Sequence, residues 1–205
     1  MIVVVDYGLG NLGSIGNMLK KIGAEAVVTS DPGKIAAADK LILPGVGAFD
    51  NGMRNLNDLG ITGLLNKKVL EEKTPILGIC LGMQLFTNGS AEGGQPGLGW
   101  IDAEALKFDM TGLARRFTVP HMGWEYVRQQ KESKLWENMY EDPRFYFVHS
   151  YYVRCNNPSD VLLSTHYAQD YVSGFERENI VGVQFHPEKS HKYGMQLFSN
   201  FIRNY

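Results

Sequence analysis

The chain has 205 residues, enough for one sizeable hydrophobic core, and its 44% hydrophobic and 20% charged residues are those of an ordinary globular fold. A net charge of −2 offers no general basic face, which argues against broad nucleic-acid binding. Two cysteines, Cys80 and Cys155, are too few for a disulfide framework and fit a reducing compartment.

The apolar run that opens the chain stops at Asp6 and has no basic leader, so Ile2–Val5 reads as a first strand and not as a signal peptide. No apolar run approaches membrane-spanning length, and a cytoplasmic protein is expected. Ile15, Met18, Leu19 and Ile22 follow the i, i+3, i+4, i+7 spacing of a one-sided helix over Asn11–Ile22, with Gly23 ending it. Glu25–Val28 and Lys40–Leu43 read as strands, the latter cut by Pro44. Ile61, Leu64 and Leu65 mark a helix running to about Glu72, and Ile76–Ile79 is the next strand. This alternation predicts a parallel sheet with helices on both faces. The Gly/Pro-rich Asn88–Gly99 is the largest loop and is placed to wall a pocket.

The second half changes character. Ala103–Phe108, Phe117–Val119, Tyr126–Arg128, Phe145–His149, Tyr151–Arg154, Val161–Ser164, Val172–Glu176 and Ile180–Phe185 read as short strands with little helix between them, so antiparallel pairs are expected. A closing helix buries Met195, Leu197, Phe198, Phe201 and Ile202. With no repeat and no convincing linker, residues 1–205 are expected to form a single α/β domain with a mixed sheet.

One cysteine stands out. Cys80, in Gly78-Ile79-Cys80-Leu81-Gly82, lies between a buried strand and a helix start, a corner that pushes a side chain out of the backbone. Flanking glycines make room for the turn, and a helix N-terminus favours the nucleophilic thiolate. A cysteine nucleophile needs a base and a group to orient that base. Val183-Gln184-Phe185-His186-Pro187-Glu188 supplies both at another strand end, where catalytic side chains of open α/β sheets gather. An oxyanion needs two N–H donors. Leu81 offers one, and the loop Pro44-Gly45-Val46-Gly47-Ala48-Phe49 offers the second, with a Val46–Gly47 peptide that glycine makes cheap to rotate. Cys155 reads as a small buried hydrophobe, and His166 and His191 as structural or surface residues.

At this point the sequence resembles a known family. The runs around Cys80 and His186 are similar to the signatures of class I, triad-type glutamine amidotransferases. Asp6-Tyr7-Gly8-Leu9-Gly10-Asn11-Leu12, Pro44–Phe49, Pro120-His121-Met122-Gly123-Trp124 and Phe147-Val148-His149-Ser150-Tyr151 resemble the glutaminase subunits of imidazole glycerol phosphate synthases, in order and over nearly the whole chain. The resemblance implies a three-layer, flavodoxin-like α/β fold with a mixed, mostly parallel central sheet and an added antiparallel region. It implies that Cys80 attacks the carboxamide of L-glutamine, His186 passes the proton to the departing ammonia and Glu188 orients His186. Leu81, Val46 and Gly47 would form the oxyanion hole. Gly45, Gln84, Glu92, Ser150 and Tyr151 match positions that hold the substrate. Asn11, Trp124, Tyr146 and Lys189 match positions at the interface and ammonia passage to a (β/α)8-barrel synthase/cyclase partner, with which family members form a heterodimer.

Glu125 departs from the pattern, in which Asn usually follows Gly-Trp, and puts a charge where an amide is normal. Three readings of the end use stay open: the histidine pathway, a paralogue that feeds ammonia to sugar amidination for surface polysaccharide, and a stand-alone γ-glutamyl hydrolase. A non-catalytic scaffold fits an intact triad poorly. No metal site is expected, because His121 and His149 are far apart in sequence without ligand spacing, and no organic cofactor is implied.

Overall fold

The computed structural model describes residues 1–111 and 117–205. Five strands run parallel in the order β2–β1–β3–β4–β12: Ala26–Thr29, Ile2–Val5, Lys40–Gly45, Ile76–Cys80 and Ile180–Val183. Apart from the edge strand β2 and Lys40 at the start of β3, they are apolar and buried on both faces, as a parallel sheet covered by helices requires. Alternate residues feed two cores. Val3, Val5, Leu41, Leu43 and Ile76 pack with Phe49, Met53 and Leu56 of α3 (Phe49–Asp58) and Leu65 of α4 (Thr62–Asn66). Ile2, Val4, Ile42, Leu77, Ile79, Val181 and Val183 pack with Ile15 and Leu19 of α1 (Leu12–Lys21) and Leu197, Phe198 and Phe201 of α6 (His191–Asn204). The result is the three-layer arrangement expected. Met195 and Ile202 are only half-buried, and Gly194 and Asn200 complete the buried stripe of α6.

Several elements differ from the sequence reading. Pro44 does not cut its strand. The ladder from β3 to β1 ends at Ile42, while pairing to β4 continues to Gly45 opposite Cys80. Past Ile42 the strand has one neighbour, so a residue without an N–H is accommodated. The helix read from Ile61 to Glu72 is α4 followed by a π-helical turn at Lys67–Glu71. Two helices were not anticipated, α2 (Pro32–Ala36), capped by Asp31, and α3.

Beyond β12 the sheet turns antiparallel, through β11 (Gln169–Arg177), β10 (Val161–Tyr167), β7 (His121–Gln129) and β8 (Arg144–His149). A branch of β5 (Gly89–Ser90), β6 (Ala103–Lys107) and β9 (Tyr151–Cys155) joins at β11. The strand expected at Phe117–Val119 is not formed. Both backbone groups of Thr118 bond instead to the Tyr167 hydroxyl, which accepts from its N–H and donates to its carbonyl. β12 is thus a seam, parallel to β4 on one side and antiparallel to β11 on the other. The residues picked out for chemistry lie at this seam.

Candidate functional site

Cys80 ends β4 and caps α5 (Leu81–Leu85), with φ +54° and ψ −109°. A residue with a Cβ is strained there, and such strain gathers where a side chain must be presented. The cysteine itself makes the corner, while the glycines beside it provide close approach. A Cβ on Gly82 would lie 1.9 Å from the Leu43 carbonyl oxygen, and one on Gly78 would lie 2.6 Å from Phe86 Cε2. Helix α5 has five residues, too short for the dipole of a long helix, so the sulfur's side-chain neighbours matter more. Gln184 Nε2 donates toward Sγ at 3.6 Å, and the Val148 carbonyl lies 3.9 Å from it. The Gln184 carbonyl oxygen in turn accepts from Gln84 at 3.0 Å.

His186 follows the end of β12, next to β4, so neighbouring strands bring the two predicted reactive groups together. Its Nδ1 lies 2.8 Å from Glu188 Oε1, and both side chains are buried. The carboxylate fixes the proton on Nδ1 and leaves Nε2 for the sulfur side; Nε2 is buried without a hydrogen-bond partner among the described residues. Burial opposes a charge on this ring, but the Cys80 sulfur and then Glu188 outweigh it and raise the pKa to about 10. An imidazolium beside the sulfur is the state this favours. Ser190 holds the turn: its hydroxyl donates to the His186 carbonyl at 2.6 Å and accepts from the Tyr146 N–H at 3.0 Å, while the His186 N–H donates to the Tyr146 carbonyl at 2.9 Å.

A cavity of about 410 Å³ opens on Cys80, in the size range of small-molecule clefts. Val46, Gly47, Leu81, Gln84, Glu92, Ser150 and Tyr151 line it, all of them predicted site residues. Gly47 has φ +102°, a conformation that suits glycine. Gly45 lies at the end of β3, where a Cβ would sit 2.4 Å from the Tyr7 hydroxyl. Two predicted substrate residues also have internal work. Gln84 Nε2 donates to the Tyr151 carbonyl at 3.1 Å as well as to Gln184. Glu92 accepts the Phe49 N–H at 2.9 Å, satisfying a free donor at the start of α3. Asp50 adds bonds to the N–H groups of Gly94 and Gln95, so Asn88–Gly99 is fastened to that helix and walls the cavity through Glu92.

The predicted partner residues gather on one surface. Trp124 is 40% exposed and packs edge-on to Tyr146; Lys189 Nζ lies 5.6 Å from the Tyr146 ring centroid. His191 stacks on Trp124 at 5.5 Å. Asn11 sits at the head of α1, a helix in contact with the turn Pro187–Lys189. Met122 and Tyr126, also exposed, share the face of β7 with Trp124. Strand alternation turns Glu125 to the other face, half-buried and toward His121.

Sequence reasoning gave no role to Gln184, Ser190 or Tyr7. Gln184 and Ser190 lie inside the His186 motif, and their polarity among buried neighbours was the available signal. Tyr7 is buried with its hydroxyl unpartnered among the described residues; burial, then charge at Cys80, drives its pKa upward. His121 and His149, far apart in sequence, meet at 3.2 Å across the β7–β8 ladder. No three His, Cys, Asp or Glu side chains are disposed to hold a metal among the described residues. Cys155 is half-buried, and burial, then Asp160, pushes its thiol to about 12, which makes it a poor nucleophile.

The model of the class-I glutamine amidotransferases matches residues 3–205. A protein of Methanococcus maripaludis named imidazole glycerol phosphate synthase subunit HisH 2 is 56% identical, with 99% of each chain covered. A protein of the same name from Pseudomonas aeruginosa is 48% identical over 98% of each chain. Among solved structures, one described as glutamine amidotransferase superposes with a TM-score of 0.75 at 19% identity, covering 98% of this chain and 97% of the other. PurLQS from Thermotoga maritima superposes with a TM-score of 0.72 at 19% identity, covering 99% and 97%. At such identities the superpositions speak for the fold, and the family rests on the sequence matches: this chain belongs to the class-I glutamine amidotransferases.

Proposed function

We propose that this chain is the glutaminase subunit of an imidazole glycerol phosphate synthase. It acts as one domain, residues 1–205, in the cytoplasm, hydrolysing L-glutamine to glutamate and ammonia. The ammonia passes to a (β/α)8-barrel synthase/cyclase subunit, which makes imidazole glycerol phosphate and AICAR in histidine biosynthesis. One observation carries the reading: Cys80 and the His186–Glu188 pair stand at adjoining strand ends, over a cavity lined by Gly47, Leu81 and Tyr151. The names of the close relatives support the histidine pathway over a sugar-amidating paralogue or a stand-alone γ-glutamyl hydrolase.

The Cys80 thiolate attacks the carboxamide carbon of glutamine. The oxyanion is held by the Leu81 N–H and by an N–H of the Val46–Gly47 stretch. As the tetrahedral intermediate collapses, the C–N bond breaks and the His186 imidazolium protonates the departing nitrogen, giving ammonia and a γ-glutamyl thioester. Acylation removes the charge on sulfur, the main influence holding the His186 proton. The ring then turns from acid to base and takes a proton from the water that attacks the thioester; collapse of this second tetrahedral intermediate breaks the C–S bond and releases glutamate and the Cys80 thiolate. Glu188 keeps the proton on Nδ1 throughout. Gly45, Gln84, Glu92 and the Ser150–Tyr151 backbone hold the amino-acid end, with a carboxylate for the ammonium and N–H donors for the carboxylate. Asn11, Trp124, Tyr146 and Lys189 face the barrel.

A glutamine-mimicking electrophile is expected to modify Cys80 and leave Cys155 untouched, as read by peptide mass spectrometry. Cys80→Ala is expected to release no ammonia when mixed with the barrel subunit. Modification at Cys155, or ammonia from the Cys80→Ala complex, would overturn the reading.

A further inference from the structure

Hydrogen-bond roles around His149 follow from chemistry alone. Its Nδ1 lies 2.8 Å from the Tyr151 carbonyl oxygen, and a carbonyl only accepts, so this nitrogen carries the proton. Burial keeps the ring neutral, with its pKa pushed down to about 3, which leaves Nε2 as an acceptor. His121 Nδ1 stands 3.2 Å from that acceptor and must donate. His121 is therefore also the Nδ1–H tautomer, and its Nε2 presents a lone pair. That atom is buried with no hydrogen-bond partner among the described residues, and Glu125 Oε1 stands 3.6 Å away. A carboxylate facing a lone pair is repulsive, and a single proton between them turns the contact attractive.

We infer that Glu125 and His121 share one proton, and that the hydrogen-bond chain it completes, His121 Nδ1–H to His149 Nε2 and His149 Nδ1–H to the Tyr151 carbonyl, holds the Val148–Tyr151 segment in place beside Cys80. Glu125, His121 and His149 are then positioning residues. No bond changes along the relay except the O–H or N–H bond of the shared proton. What the segment holds in place, glutamine, rests on the proposed function; the relay itself rests on the distances. The surroundings favour a neutral pair. Burial raises the Glu125 carboxyl against the opposing effect of His166 on β10, and burial lowers His121 to about 4. On β10 the Tyr167 ring stacks on His121 at 3.7 Å, and on β11 the Tyr171 hydroxyl lies 3.5 Å from His121 Nδ1 and 3.4 Å from His149 Nε2. Beyond His149, a charged His186 further disfavours charge on that ring.

The proton is kept at low pH and lost as pH rises, after which Glu125 and His121 repel and the grip on the Tyr151 carbonyl slackens. Glu125→Gln places a permanent N–H donor where the shared proton sits, so it preserves the tautomers and removes the pH dependence. The test is long-range ¹H–¹⁵N spectroscopy of the ¹⁵N-histidine-labelled chain from about pH 4, where His121 is placed, up to about pH 8, so that loss of the proton from the raised Glu125 carboxyl falls inside the span. Both His121 and His149 are expected as Nδ1–H tautomers, with His121 Nε2 shifting with pH in the native chain and not in Glu125→Gln. In the complex with the barrel subunit, KM for glutamine is expected to rise with pH by up to about tenfold, the worth of one buried hydrogen bond, with kcat little changed. Glu125→Gln should flatten that rise, and Glu125→Ala should show the high-pH KM throughout. An Nε2–H tautomer at either histidine, or the same pH dependence in the native and Glu125→Gln proteins, would overturn the inference. The spectra need no catalysis, so they read the relay even if Cys80 labelling were to fail and take the glutaminase reading with it.

Discussion

In the proposed reaction His186 acts as an acid and then as a base within one turnover, and its surroundings change in step with that need. Before acylation the sulfur and Glu188 together hold its pKa at about 10, so an imidazolium is ready for the departing nitrogen. Once the sulfur is acylated, burial opposes Glu188 alone. Replacing Glu188 with Gln removes the remaining charge partner at 2.8 Å and loosens the tautomer. Ammonia release by the complex is expected to fall by about 10²–10⁴-fold, with its alkaline limit moved to lower pH, as a pH–rate profile would record. Ammonia release at the native rate in Glu188→Gln would show that the carboxylate does not orient His186. Gln184 belongs to the same account, since its amide donor is directed at the sulfur and its oxygen is anchored by Gln84.

At the scale of elements, the cysteine corner works because α5 lies nearly on the backbone of β3. Gly82→Ala would drive a methyl group into the Leu43 carbonyl at 1.9 Å, with backbone on both sides and no side chain to yield. The variant is expected to lose about 1–3 kcal/mol of stability in urea unfolding, or more if the corner cannot relax. Much of this architecture was legible. The strands β1, β4 and β12 and the helices α1 and α6 announced themselves by period and by long apolar stretches. Helix α3 did not, although Phe49, Met53 and Leu56 keep helical spacing, because Gly52 and the Asn and Asp residues among them are weak helix formers. Pro44 looked like a break, since a sequence does not show that a strand has lost one neighbour. The meeting of Cys80 with the His186–Glu188 pair was legible because each lies in a short motif at or just past a strand end. Gln184 and the His121–His149 contact were not, because they depend on ladder registers that bring distant segments together.

At the scale of the molecule, the cavity and the face carrying Trp124 are joined by one turn. Tyr146 contributes its ring to the exposed cluster and its backbone to His186 and Ser190, so two hydrogen bonds connect that surface to the turn that carries His186. Trp124→Ala should weaken binding of the barrel subunit by about 2 kcal/mol or more, roughly thirtyfold, by calorimetry. The rate at which an electrophile labels Cys80 in the isolated variant should stay close to native, because Trp124 does not line the cavity. Unchanged affinity would place the docking surface elsewhere.

The seam at β12 also governs when reactivity can first exist. The strand of the proposed nucleophile is translated early, and the proposed base follows so late that His186 lies 106 positions after Cys80. Between β4 and β12 the ribosome must make the whole antiparallel half, and β12 joins the two halves by pairing with β4 on one side and β11 on the other. A nascent chain thus carries an unpaired thiol and no proton donor for a departing amine. On the proposed function, such a chain is expected to consume no glutamine until the strands carrying Trp124 and Tyr146 have been made as well.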